Sequence, residues 1–173
     1  MKRVDTAGKS VKVDQLIKAE RTSLLGYACY QLGNMEDAED AVQDVCFRLH
    51  QRLEEIGPEV VNLKAYLYRS LANLCIRRKQ EKTKFIPYPP DRFPEFIETE
   101  AEDFEQEYRR ICSLLTEIPE EQAEVIRLRF YGNKSFKEIA DILGVPLTTV
   151  KSRFLYGLDK MKRKMHISSH VSP

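Results

Sequence analysis

The stretch SFKEIADILGVPLTTVKSRF, residues 135–154, decides how this 173-residue chain is read. Ser135 and Glu138 stand in the Ser-x-x-Glu pattern, in which each side chain satisfies the other's backbone amide at a helix start. Phe136, Ile139, Ala140 and Leu143 follow at i, i+3, i+4 and i+7, one apolar face. Gly144 allows a sharp turn. A longer helix begins near Leu147 and runs to about Met165. A short amphipathic helix, a glycine turn and a longer basic helix spell a helix-turn-helix. At about 100° per residue, Leu147, Val150, Phe154, Leu158, Met161 and Met165 gather on one side as a packing stripe. Thr149, Ser152, Arg153, Tyr156 and Lys160 gather opposite, and Arg163 and Lys164 extend that side. The second helix of such a unit enters the major groove with its N-terminal side chains at base edges. Thr149, Ser152 and Arg153 are therefore the candidate base readers. Arg153 leads, because a guanidinium bonds both acceptors of guanine. Lys160, Arg163 and Lys164 suit phosphates, which position without specifying. Lys151 lies off the polar centre and meets backbone. Tyr156 receives no role.

Charge supports a polyanionic partner. The whole chain is nearly neutral at +1, yet from Lys151 onward six Lys/Arg face a single Asp. Cationic side chains release counterions condensed on phosphates. Charge alone fits a solvated basic tail equally well. With hydrophobic residues at 42%, the chain has enough apolar surface for one medium domain or two small ones.

Upstream the pattern stays helical, with only seven glycines to interrupt it. Helices are expected at about Val13–Leu32, Met35–Ile56 and Leu63–Lys82, punctuated by Gly33-Asn34 and Gly57-Pro58. Pro87, Pro89, Pro90 and Pro94 then fall among acidic residues and exclude a continuous helix or central strand. Helices resume from about Phe104 to Leu115. Pro119 opens another as its first residue, which ends near Tyr131-Gly132. The expected fold is all-α. Two small helical domains, 1–83 and 104–173, are joined by a Pro-rich acidic linker at 84–103.

Two N-terminal helices carry patterned faces. On the second, Ala38, Val42, Val45, Leu49 and Leu53 form a core stripe, with Asp37, Asp40 and Asp44 opposite. On the third, Leu63, Leu67, Leu71, Leu74 and Arg78 face inward, while Tyr66, Arg69, Ser70, Asn73, Arg77 and Gln80 face outward. An aromatic among cations and an amide suits splayed single-stranded bases. Taken singly, each face reads first as a solvated surface.

Together these segments resemble a known family. Ile118-Pro119-Glu120-Glu121-Gln122, Phe136-Lys137-Glu138-Ile139-Ala140 and Thr149-Val150-Lys151-Ser152-Arg153 resemble the promoter-binding C-terminal domain of bacterial sigma factors. LuxR-type regulators carry a similar helix-turn-helix, so the N-terminal half decides. Asp37-Ala38-Glu39-Asp40-Ala41-Val42-Gln43-Asp44 looks like the acidic motif of extracytoplasmic-function (ECF) sigma factors. Asn62-Leu63-Lys64-Ala65-Tyr66-Leu67-Tyr68-Arg69 with Ala72-Asn73-Leu74 is similar to that family's next helix. The resemblance implies that Asp37, Asp40, Gln43 and Asp44 dock on the clamp helices of the largest subunit of core RNA polymerase. It implies minus-10 recognition by Asn62, Tyr66, Arg69, Asn73 and Arg77, with the Gly57–Asn62 loop capturing a flipped base. It implies minus-35 recognition by Thr149, Lys151, Ser152, Arg153, Lys160, Arg163 and Lys164, next to the flap of the second-largest subunit. An anti-sigma factor partner is implied as well, and a linker that threads toward the polymerase active site and RNA exit. The chain departs from the family where Cys46 replaces an aromatic, His50 and Tyr66 replace tryptophan, and Tyr156 replaces arginine. Cys46 and His50 are expected to reflect altered packing.

A stand-alone helix-turn-helix regulator is the competing reading, and the acidic motif argues against it. No enzyme is expected: the sequence offers no phosphate loop, no nucleophile beside a base and no metal cluster. No cofactor is expected. Cys29, Cys46, Cys75 and Cys112 sit in apolar helical contexts without Cys-x-x-Cys spacing, as buried thiols of a reducing cytoplasm do. Residues 1–14 lack a signal-peptide core, and no apolar run approaches the roughly 20 residues a bilayer span requires.

Overall fold

The computed structural model describes residues 6–52, 62–82 and 101–169, apart from the side chains of 6–9, 82, 101–106, 108 and 166–169. Among the described residues the chain is all-α, with seven helices and no strand. It divides into two compact units, 1–93 and 94–173. The expected linker falls largely outside the described residues. Its last part does not: α4 already begins at Ala101.

The first unit packs α1 (Thr6–Leu32), α2 (Met35–Arg52) and α3 (Leu63–Lys82) against one another. Gly33 takes φ +85 and donates its amide to the Cys29 carbonyl at 2.8 Å, ending α1 with a left-handed residue. Asn34 then opens α2 by accepting the Asp37 amide at 2.8 Å. The expected α2 stripe is buried at Ala38, Val42, Val45 and Leu49, joined by Ala41, while Leu53 lies outside the described residues. On α3, Leu67, Leu71 and Leu74 are buried as expected, but so are Ala65, Tyr68, Ala72 and Cys75. This helix touches both α1 and α2, so its buried surface is wider than one stripe.

A polar network crosses the α1–α3 seam. Tyr68 donates its hydroxyl to Glu20 Oε2 at 2.9 Å, and Lys64 Nζ pairs with Glu20 Oε1 at 2.8 Å. Gln31 donates to the Tyr27 hydroxyl at 3.0 Å and accepts from Lys79 at 3.1 Å. Tyr27 and Tyr68 meet edge to face at 6.3 Å between ring centroids. Buried polar groups demand such partners, because leaving one unsatisfied costs about 1–3 kcal/mol.

The second unit holds α4 (Ala101–Thr116), α5 (Glu120–Phe130), α6 (Phe136–Leu143) and α7 (Leu147–Ser169). Leu114, Leu115, Ile118, Ala123, Ile126 and Met161 form one buried cluster, flanked by Ile111, Tyr131, Phe154 and Leu158. Pro119 is the N-cap of α5 rather than its first helical residue. Its extended ψ keeps it outside the helix, while its carbonyl accepts the Gln122 and Ala123 amides. Ser135 and Glu138 form the expected capping box: Ser135 N donates to Glu138 Oε2 at 2.8 Å and Glu138 N to Ser135 Oγ at 3.2 Å. Gly144 caps the other end of α6 at φ 66.

Replacing Ser135 with alanine removes this cap and is expected to cost about 1 kcal/mol. Urea denaturation of the full chain followed at the second unit's transition checks this. An unchanged midpoint would mean that the box adds nothing.

Candidate nucleic-acid interfaces

The helix-turn-helix is held by aromatic packing. Phe154 of α7 meets Phe136 of α6 edge to face at 5.0 Å and Phe130 of α5 at 5.9 Å. Arg129 stacks its guanidinium over Phe136 at 5.1 Å and donates to the Lys134 carbonyl, bracing the turn before α6. Within this frame α7 is rotated from its expected setting. The buried residues are Val150, Gly157 and Met161, with Phe154 and Leu158 half-buried. Leu147 and Met165, expected in the packing stripe, are exposed at 41% and 36%. The buried centre is displaced by about 40° around the helix axis.

Gly157 explains the displacement. A Cβ there would lie 2.8 Å from Ile126 Cδ1 and 3.2 Å from Gln122 Cβ. The bare edge of α7 therefore rests directly on α5. A count of apolar side chains gives glycine no weight and misses this edge.

The rotation redistributes the candidate DNA contacts. Thr149 and Ser152 are half-buried, and Ser152 Oγ donates back to the Thr149 carbonyl at 3.0 Å. Arg153 lies toward α5, where Nη2 pairs with Glu121 Oε2 at 2.7 Å. Lys164 pairs with Glu117 at 2.7 Å, and Arg163 with Asp159 one turn back at 2.8 Å. Lys151 and Lys160 are exposed. So are Leu155 and Tyr156, at 65% and 64%, and Lys162. Lys151, placed off the polar centre by the sequence, in fact stands on the open face.

In the first unit a cleft of about 270 Å³ opens between α2 and α3. Val45, Leu49 and Leu74 form its floor, and Tyr66, Ser70, Asn73 and Arg77 line the α3 side. Arg48 and Arg52 line the α2 side, and Arg52 donates to the Tyr66 hydroxyl at 3.3 Å. Tyr66, Asn73 and Arg77, predicted from the sequence, thus converge on one site. Arg69 is exposed on α3 outside the cleft lining. Asn62 sits at the start of α3 and accepts the Ala65 amide at 2.9 Å, as an N-cap does. Residues 57–61 of the loop expected to hold a flipped base lie outside the described residues. The sequence reading missed Arg48 and Arg52 because it judged α3 alone. Their i, i+4 spacing beside the Val45–Leu49 stripe was the available signal.

The acidic side of α2 is more engaged than its sequence suggests. Arg78 Nη2 reaches Asp40 Oδ2 at 2.8 Å and Asp44 Oδ2 at 2.7 Å, and Nη1 donates to the Asp37 carbonyl at 3.3 Å. Burial works against the Arg78 charge, but hydrogen bonds and attraction from Asp40 and Asp44 outweigh it and hold the guanidinium more firmly protonated. The Asp37 carboxylate accepts from the Asn34 side-chain amide, within the α2 cap. Gln43 is exposed. Phe47, absent from the sequence-derived set, is exposed at 62%. Helical spacing puts it on the same side as Asp40, Gln43 and Asp44.

At the positions that depart from the family, His50 Nε2 lies 3.2 Å from Asp14. Burial pushes the Cys46 thiol above its ordinary pKa, opposed by Arg21. None of the four cysteines is joined in a disulfide. Cys29 and Cys75 are buried as expected, whereas Cys46 and Cys112 are only partly so.

A helix-turn-helix in one unit and a cationic, aromatic cleft in the other are two surfaces whose chemistry suits nucleic acid. The sigma-70 region 2 model matches residues 16–85, and the sigma-70 region 4 model matches residues 114–163. RNA polymerase sigma factor SigV of Bacillus subtilis is 30% identical over 132 residues, 75% of this chain and 76% of the relative. ECF RNA polymerase sigma factor RpoE of Cereibacter sphaeroides is 26% identical over 132 residues, 74% of this chain and 72% of the relative. The fold is similar to that of CnrH, solved in complex with the cytosolic domain of CnrY, at TM-score 0.69 and 20% identity. That match covers 94% of this chain and 92% of the other. It is similar also to the sigma factor RpoE of Bartonella quintana, solved with the anti-sigma factor NepR, at TM-score 0.65 and 20% identity. There 89% of this chain and 96% of the other are covered. The chain belongs to the ECF-type RNA polymerase sigma factors. Among its described residues, no helix is long and apolar enough to cross a membrane.

Proposed function

We propose that this sigma factor joins core RNA polymerase through one side of α2 and opens and reads its promoter with the other faces described above. It directs promoter-specific initiation and performs no catalysis of its own. Asp37, Asp40, Gln43 and Asp44 meet the clamp helices of the largest subunit, with Phe47 as an apolar anchor among them. The α2–α3 cleft holds melted minus-10 bases: Tyr66 stacks, Asn73 offers a base-edge amide, and Arg48, Arg52 and Arg77 meet phosphates. Arg69 and Asn62 flank that strand. Helix α7 enters the minus-35 major groove, with Lys151 on its open face and Thr149, Ser152 and Arg153, the last released from Glu121, toward the bases. Lys160, Arg163 and Lys164 sit along the backbone, and Leu155 and Tyr156 lie on the same open side. The second unit rests on the flap of the second-largest subunit. The protein acts in the cytoplasm, under an anti-sigma factor of the kind solved with the Bartonella quintana sigma factor.

One observation carries this reading. Helix α2 has an acidic side bearing an exposed phenylalanine and also lends two arginines to the cleft with α3. A regulator acting alone has no use for the first of these surfaces.

Docking is tested by contrasting charge with anchor. Reversing Asp40 and Asp44 to lysine is expected to slow association with core polymerase and change its salt dependence, since complementary charge sets rate and register. Phe47→Ala is expected to speed dissociation roughly tenfold or more, as loss of a buried aromatic anchor does. Duplex binding by Phe47→Ala, which leaves the charge unchanged, should stay at the wild-type level. Unchanged core binding in all of these variants would return this surface to plain solubility.

Arg153→Ala is expected to weaken binding to the selected minus-35 site by about 1–3 kcal/mol and to relax preference at one base pair. Site selection with the variant checks this. A uniform loss across all sequences would make Arg153 a phosphate contact.

A further inference from the structure

Two cations on α7 are already occupied. Arg153 is held by Glu121 and Lys164 by Glu117, each at 2.7 Å, and both pairs join α7 to the α4–α5 corner. The two glutamates lie four residues apart across Pro119, the break between α4 and α5. The cations are the more enclosed partners: the Arg153 side chain is 23% exposed against 72% for Glu121, and that of Lys164 38% against 47% for Glu117. The third pair, Arg163–Asp159, lies within one helix and is open to water on both sides, so it holds its cation weakly.

We infer that Glu117 and Glu121 are built-in counter-ions that hold down sequence-independent binding of duplex DNA by this unit. The inference rests on the reading of α7 as the duplex-binding helix. A phosphate that takes Arg153 or Lys164 must displace a carboxylate. The carboxylate set free stays close to the DNA, repelled by it, and takes up a cation from solution. Net counterion release per contact therefore falls, and with it the gain that makes basic helices adhere to any duplex. Guanine offers Arg153 two acceptors in fixed geometry, a return that a lone phosphate does not match. The arrangement makes weak contacts weaker and keeps the basic end from settling on random DNA.

The test uses the full chain and a short labelled duplex of mixed sequence, titrated across a salt series. Glu117→Gln with Glu121→Gln is expected to raise affinity roughly three- to twentyfold at moderate salt. The slope of log affinity against log salt should steepen by roughly one to two, given about 0.9 per phosphate contact. Each single variant should give a smaller step of the same sign, with the thermal transition of the chain unmoved. Glu107 of α4 is exposed and pairs with nothing on α7 among the described residues, so Glu107→Gln, which removes one charge, is the net-charge control for each single variant. Unchanged or weaker binding in the double variant overturns the inference, because the glutamates would then be inert or would orient their partners for DNA. A gain from Glu107→Gln equal to that of the single variants overturns it too, since any lost acid would do. If Lys160→Ala also leaves duplex binding unchanged, the reading of α7 itself fails.

Discussion

The contact of Gly157 with Ile126 and Gln122 sets which face of α7 is open to solvent. Helix α7 can lie this close to α5 only where it lacks a side chain, and that closeness fixes its rotation. Rotation then decides everything a duplex would meet. Lys151, Leu155 and Tyr156 turn to solvent, while Arg153 and Lys164 swing toward the acids of the α4–α5 corner. The Phe130–Phe154–Phe136 stack holds the same setting from the far side. Close-packed interiors tolerate few alternatives, so one bare edge selects one face.

In each unit a charge with a proposed role outside the molecule has a partner inside it. Arg78 binds Asp40 and Asp44 on the docking side of α2, and Glu121 and Glu117 bind Arg153 and Lys164 on α7. Exposed pairs of this kind contribute little to stability, commonly below about 1 kcal/mol. Their consequence is electrostatic. They reduce the field each surface projects, so a partner must supply geometry as well as opposite charge. A protein with two charged faces of opposite sign has reason to mute both.

Much of this was legible locally. The capping box at Ser135 and the left-handed turn at Gly144 follow from short sequence patterns, because each depends on residues within a few positions. The α2 stripe followed from periodicity, and the acidic motif with the α3 motif gave the family. What escaped depends on two helices at once. Arg48 and Arg52 acquire meaning only when α2 lies beside α3 and the cleft forms. The partners of Arg153 sit in another helix, and the setting of α7 hinges on a glycine that hydropathy does not count. Tyr68 was left out of the α3 stripe because α3 buries more than one side, and Phe47 was passed over because it belongs neither to the apolar stripe of α2 nor to its acids.

The two faces are proposed to serve one promoter through one polymerase. The decisive experiment is run-off transcription from genomic promoter fragments, with purified core enzyme and with or without this chain. Transcripts from a defined set of promoters are expected only when the chain is present. Those transcripts should vanish when the cleft loses Arg48, Tyr66 and Arg77 together, while core binding persists. No new transcript from any fragment, together with no binding to core enzyme, would contradict the account.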